Sequence, residues 1–129
     1  MLNRRFANVA LLITAAIWAG FAVWLGANPA ALLSAFGVEA RPPAILTEVR
    51  AFYGGVELGI ALVMLLLWRR GELVAGLLVG GVPLLGSAAG RCFGLAVDGY
   101  SAMHAGFAVF ELLGAAFCLA GCAAAKNNS

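Results

Sequence analysis

The sequence predicts an all-α integral membrane protein: a four-helix bundle, up-down-up-down, with a short interfacial helix after the first span. Three observations carry that reading. Apolar residues make up 64% of the 129 and charged residues 11%, against about 45–50% and about 25% in soluble domains. The apolar residues gather into four runs, 6–27, 45–68, 73–97 and 102–125, each longer than the roughly 20 residues a helix needs to cross hydrocarbon. None of the runs shows the period-2 alternation of a barrel strand, so backbone satisfaction in lipid requires helices.

The first run follows Arg4 and Arg5 and precedes small residues, as a signal peptide would. Its apolar stretch from Val9 to Ala27 exceeds the roughly 7–15 residues of a signal core, so it is expected to be retained as a helix. Trp24 is placed at the headgroup level, where indole rings anchor spans. Asn28-Pro29 breaks the run and starts a short helix over 29–36, stopped by Gly37. Leu32, Leu33 and Phe36 would give that helix an apolar face on the outer membrane surface. Arg41-Pro42-Pro43 is an extended connector.

The second helix covers about 44–68, and residues 69–72 form a tight turn. The third covers 73–97, with Pro83 expected to bend it. Asp98-Gly99 turns the chain into the fourth, which ends near Ala125 before a polar tail over 126–129. With such short connections residues 1–129 form a single transmembrane domain. Arg4, Arg5, Arg69, Arg70 and Lys126 fall on one side, and only Arg41, against Glu39 and Asp98, on the other. Basic residues accumulate on the cytoplasmic face, which places both termini inside.

Net charge is +2, and no basic run interleaved with aromatics suggests nucleic acid. The arginines at the inner ends follow from topology, with some attraction to anionic lipid heads. Cys118 and Cys122 share a helix face, where rigid geometry disfavours a bridge; in apolar surroundings they are packing residues. Gly86, Gly90 and Gly94 recur every four residues on the third helix, as do Gly76 and Gly80. That interval lets helix backbones approach closely in lipid, within the bundle or across a homodimer seam.

The most informative residues are charges inside spans: Arg50 and Glu57, then Arg91 and Glu111. Each costs roughly 2.5–3.5 kcal/mol to insert. At 1.5 Å rise per residue, Arg50 and Arg91 lie about 6–9 Å from the outer ends, both glutamates about 15 Å and His104 about 5 Å. Arg50, Tyr53, Gly54 and Glu57 form one helical stripe, and His104, Phe107, Ala108 and Glu111 another. Pointing inward, these stripes would bring together two Arg–Glu pairs, with Tyr53 and His104 on the wall and Glu48 and Asp98 at the rim. Gly54 and Gly55 would leave space, with Gly86, Gly90 and Gly94 close-packed. The same charges also suit a structural clamp that fixes helix order, although buried pairs add little net stability.

His104 has no second His or Cys at ligand spacing on its helix, so no metal site is predicted. No nucleophile motif, phosphate-binding loop or nucleotide fingerprint is present, no cofactor is expected, and no catalytic residue is identified.

The stretch EVRAFYGGVELG from Glu48 to Gly59, GRCFGLAVDG from Gly90 to Gly99 and the later Glu111 resemble a bacterial family of short four-helix membrane proteins, the domain of unknown function 4345 family. The resemblance singles out Glu48, Arg50, Tyr53, Gly54, Gly55, Gly90, Arg91, Asp98 and Glu111. It implies a bundle similar to the wider DoxX-like group and a place in the bacterial inner membrane. It implies no activity, and fold-level analogy supplies none.

These readings converge on a polytopic membrane protein that binds a small apolar or lipid-like molecule at a buried Arg/Glu cluster in the outer half of the bilayer. The alternative is a non-catalytic accessory subunit of a larger membrane complex. The partners expected are membrane lipids and a homodimer or larger complex. Whether a pocket carboxylate also serves as acid or base is left open.

Overall fold

Small side chains fill the interior of this protein and large ones cover its outside. The computed structural model describes residues 2–126; within them every regular element is helical. The polar tail expected from 126 lies outside the described residues beyond Lys126. Ala7, Ala10, Ala15, Ala61, Ala88 and Ala115 are buried, with Leu11, Met64 and Leu77 as the largest core side chains. Phe93, Leu113, Val23 and Leu62 are more than half exposed. Such a surface suits lipid, where association depends on close packing of small residues.

The elements are α1 (Leu2–Ala27), α2 (Ala30–Ala35), α3 (Pro43–Val49), a π-helical segment π1 (Arg50–Val56), α4 (Glu57–Arg69), α5 (Leu73–Val97) and α6 (Ala102–Lys126). Four helical stretches are long and apolar enough to cross a membrane: Asn3–Ala27, Pro43–Arg69, Leu73–Val97 and Ala102–Lys126. This is a multi-pass membrane protein. The second span thus joins α3, π1 and α4. Pro43 starts it rather than belonging to the connector, as a proline suits the first helical turn.

α1 packs on π1 and α4 along one side and on α6 along the other; α5 closes the ring between α4 and α6 and makes its largest interface with α6. The α4–α5 turn and the start of α1 meet at one end, called here the Arg69 end; the α5–α6 turn marks the Asp98 end. At the Arg69 end Gly71 takes φ +78°, its N–H donates to Trp68 O, and Glu72 N–H donates to Leu67 O. This paired closure of the last helical turn needs a left-handed residue, which glycine supplies without steric cost. Gly37 stops α2 the same way, with φ +72° and bonds to Ser34 O and, from Val38, to Leu33 O.

Two expectations need correction. α2 does not present its apolar side to the membrane surface: Leu33 is buried and Phe36 stacks inward on His104. The glycine stripe of α5 is not a packing seam within the bundle over its upper half, because a Cβ at Gly86 or Gly90 would meet nothing within 4 Å. The glycines that do admit a neighbour lie lower. A Cβ at Gly76 would come within 2.6 Å of Leu11, one at Gly80 within 2.5 Å of Met64, and one at Gly81 within 2.7 Å of Cys118. α5 runs unbroken through Pro83. Cys118 and Cys122 are buried free thiols, and Cys118 Sγ lies 3.5 Å from Thr14 Oγ1.

Candidate functional site

Arg91 is the hub of the polar interior. It projects from α5 at four residues from Ser87, so both reach the same side of that helix. On α6, His104, Phe107 and Glu111 recur at three and four residues and face it. Arg91 Nε donates to both Glu111 oxygens, at 2.9 and 3.0 Å, and Ser87 Oγ donates to Glu111 Oε1 at 2.7 Å. The two charged side chains are only 17% and 10% exposed, where a charge-assisted contact is stronger than in water.

The guanidinium lies over the Phe107 ring, 4.9 Å from its centroid, a cation–π arrangement. Its Nη1 is 3.0 Å from His104 Nδ1. Arginine can only donate, so Nδ1 accepts and the histidine proton sits on Nε2. The imidazole is held from its other side by Phe36, stacked at 4.7 Å and 11°. His104 itself is fixed near the start of α6, where its backbone N–H reaches the Ser101 hydroxyl at 3.4 Å. Nη2 of Arg91 has no protein partner among the described residues.

The second half of the expected cluster forms differently. Arg50 is exposed and its Nη1 donates to Gly26 O at 3.0 Å, one of the last carbonyls of α1. Those carbonyls lack intrahelical donors and carry the negative end of the helix dipole, so α1 competes successfully for the guanidinium. The Arg50–Glu57 pair is therefore absent, and one ion pair, not two, is present among the described residues. Glu57 Oε2 is buried without a hydrogen-bond partner, and its carboxyl lies within electrostatic range of Glu111.

The physical reason is π1. Between Arg50 and Val56 the ladder shifts to i→i+5, so each turn takes up an extra residue and the α-helical stripe no longer holds across it. Gly54 and Gly55 sit inside the segment. Gly54 is buried where its chain crosses α1: a Cβ there would lie 3.0 Å from Gly26 Cα. Gly55 is exposed, with no neighbouring helix against it.

π1 packs on α1 and has no comparable interface with α5 or α6. Between them lies a half-open cleft of about 380 Å³, lined by Tyr53, Gly90, Arg91, Gly94, Asp98 and His104 among others. That volume falls in the range of small-molecule sites. Tyr53 is half-buried and its hydroxyl has no protein partner among the described residues. Asp98 is at the mouth; Glu48 on α3 is exposed and does not line the cleft, and neither do Arg50, Glu57 and Glu111. Glu111 serves the cleft through Arg91. Among the described residues no three His, Cys, Asp or Glu side chains gather to hold a metal.

Sequence reasoning passed over Ser87 and Gly26, and set Phe36 on the membrane surface instead of at the site. Ser87 had a usable signal in its four-residue spacing from Arg91. Phe36 and Gly26 had none, since both act across long separations.

The family model described as domain of unknown function (DUF4345) matches residues 6–122, and the chain belongs to that family. No curated protein and no solved structure matches it.

Proposed function

For this member of a family without an assigned activity, we propose that the cleft between π1 and the α5–α6 pair receives a small, largely apolar, membrane-dissolved molecule with a polar head. The observation that carries the reading is Arg91. Glu111 neutralises its charge, His104 and Phe107 fix its guanidinium, and Ser87 holds Glu111 in place, yet Nη2 stays uncommitted on a residue that lines the cleft. His104 Nε2–H and the Tyr53 hydroxyl add donors, so the head group they suit is a hydrogen-bond acceptor, with Asp98 at the mouth to receive a hydroxyl. The exposed Gly86 and Gly90 leave a smooth path along α5 for the apolar part.

With basic residues inside, the Arg69 end and both termini face the cytoplasm of a bacterial inner membrane, and the cleft opens in the outer half. The accessory-subunit reading is favoured by one observation, the room that Gly86 leaves for a helix of another chain.

Native mass spectrometry of gently purified protein, with lipid extraction of the same sample, tests both. One retained small molecule, lost in Arg91→Gln and weakened in Tyr53→Phe, is expected. Equal retention in wild type and Arg91→Gln would refute the cleft as its site. A stoichiometric protein partner with no retained molecule would establish the subunit instead.

A further inference from the structure

A second cleft lies at the opposite end, formed where the start of α1 meets the α4–α5 turn. It is an open groove of about 530 Å³, lined by Arg4, Asn8, Trp68, Arg69, Gly71 and Leu73. Its wall is built and fixed. Trp68 Nε1 donates to Asn8 Oδ1 at 2.7 Å, and Asn8 Nδ2 donates to Arg4 O at 2.8 Å. The turn below is closed by the left-handed Gly71. Asn8 and Trp68 are thus occupied in joining α1 to α4.

The two arginines are free. Neither guanidinium has a hydrogen-bond or ion-pair partner among the described residues. They come from positions far apart in the chain and line one concave site. Topology alone asks only that positive residues lie on a given side of the membrane; it does not ask that two of them share a cavity. Arg5 and Arg70, their sequence neighbours, carry the same charge at the same end and do not line it. Glu72 is the one carboxylate in the adjoining turn, and it too stays outside the cleft.

We propose that this cleft binds a phosphate group between Arg4 and Arg69, and that the phosphate belongs to an anionic membrane lipid. Guanidinium forks match phosphate oxygens in geometry as well as charge. Trp68 marks the headgroup level, where an indole sits with its ring in the apolar layer and its N–H toward polar groups. Leu73 is buried on the same wall, and the large apolar surface next to the cleft leaves the acyl chains in the bilayer. Basic pockets between spans on the cytoplasmic side are suited to such head groups. The proposal is independent of the ligand at the Asp98 end.

The test uses the full chain in detergent, titrated separately with phosphatidylglycerol, phosphatidylcholine and inorganic phosphate, and read by native mass spectrometry. Wild type is expected to retain one phosphatidylglycerol in preference to phosphatidylcholine. Arg4→Gln/Arg69→Gln should lower that retention about tenfold or more, from the loss of two charge-assisted contacts. Arg5→Gln/Arg70→Gln, matched in charge and location, should stay within about twofold, because surface charges outside the site are largely screened. Arg4→Lys/Arg69→Lys keeps the charge without the fork and should fall between them, which keeps the test valid if the glutamine variant does not fold. Equal losses in the two glutamine pairs, or equal retention of both lipids, would overturn the proposal. Binding of inorganic phosphate without phosphatidylglycerol would overturn the lipid and leave a soluble anion as ligand.

Discussion

Two arginines and two glutamates enter the same half of this bundle and meet opposite fates. Arg91 and Glu111 sit on adjacent α-helices, and their carboxylate and guanidinium meet directly, with Ser87 and His104 completing the contacts. Arg50 and Glu57 sit on one span with a π segment between them, and they part: the arginine turns to the end of α1 and the glutamate keeps a buried oxygen with no partner. The depth read from the sequence was equally favourable in both. What differs is whether the backbone carries the side chains onto a shared face, and whether a stronger acceptor lies closer. The matched pair is scaffolding for a cleft; the unmatched pair is a place where charge is left over.

The largest effect expected comes from breaking the matched pair on one side. Glu111→Leu strands Arg91 in a nearly buried position and should destabilise the bundle by about 3–5 kcal/mol, whereas Arg91→Leu/Glu111→Leu should recover most of that loss. Reversible unfolding in mixed micelles, run as a double-mutant cycle, measures both. If the double variant is as unstable as the single, the pair adds net stability and is more than mutual neutralisation.

Next comes the crossing that positions π1. Gly54→Ala sets a methyl 3.0 Å from the Gly26 backbone, which cannot swing aside as a side chain can. A loss of about 1–3 kcal/mol is expected, together with a change in the cleft that lowers retention of any molecule held there. Gly86→Ala meets nothing within 4 Å and should be neutral or stabilising by up to about 1 kcal/mol, since alanine is the better helix former. A clear loss in Gly86→Ala, scaling with protein concentration, would mean that another helix packs there and would favour the subunit reading.

This contrast shows what was legible in the sequence. Spans, the turn over 69–72 and the glycine stop at Gly37 follow from local chemistry, so composition and spacing place them. The stripe His104, Phe107, Glu111 was also legible, because α6 is regular through it. The Arg50 stripe was not, because its argument assumes 3.6 residues per turn and π1 does not obey it. Nothing local in RAFYGGV announces the i→i+5 ladder beyond its paired glycines. The glycine repeat of α5 misled for a related reason: spacing gives a shared face but not what lies opposite. The lower glycines meet Leu11, Met64 and Cys118, while Gly86 and Gly90 meet open space. The seat of Phe36 on His104 is a contact between residues 36 and 104 and has no local signature at all.

The smallest effect expected is the most specific to the unmatched pair. Glu57 contributes no hydrogen bond from Oε2 and stands near a second carboxyl. Glu57→Gln relieves the burial of an ionisable carboxyl and, second to that, its repulsion by Glu111, at nearly constant volume, and so should leave stability unchanged or raise it by about 1 kcal/mol at most. The same unfolding measurement, paired with retention at the cleft, decides what Glu57 is for. Unchanged retention would make it a surplus charge tolerated by the fold. Retention lost while stability holds would give the orphaned oxygen a purpose beyond architecture, since a group that adds nothing to folding would then be required for the ligand. In that case the cleft reaches deeper than Tyr53 and Arg91, and Glu57 is the residue at its floor.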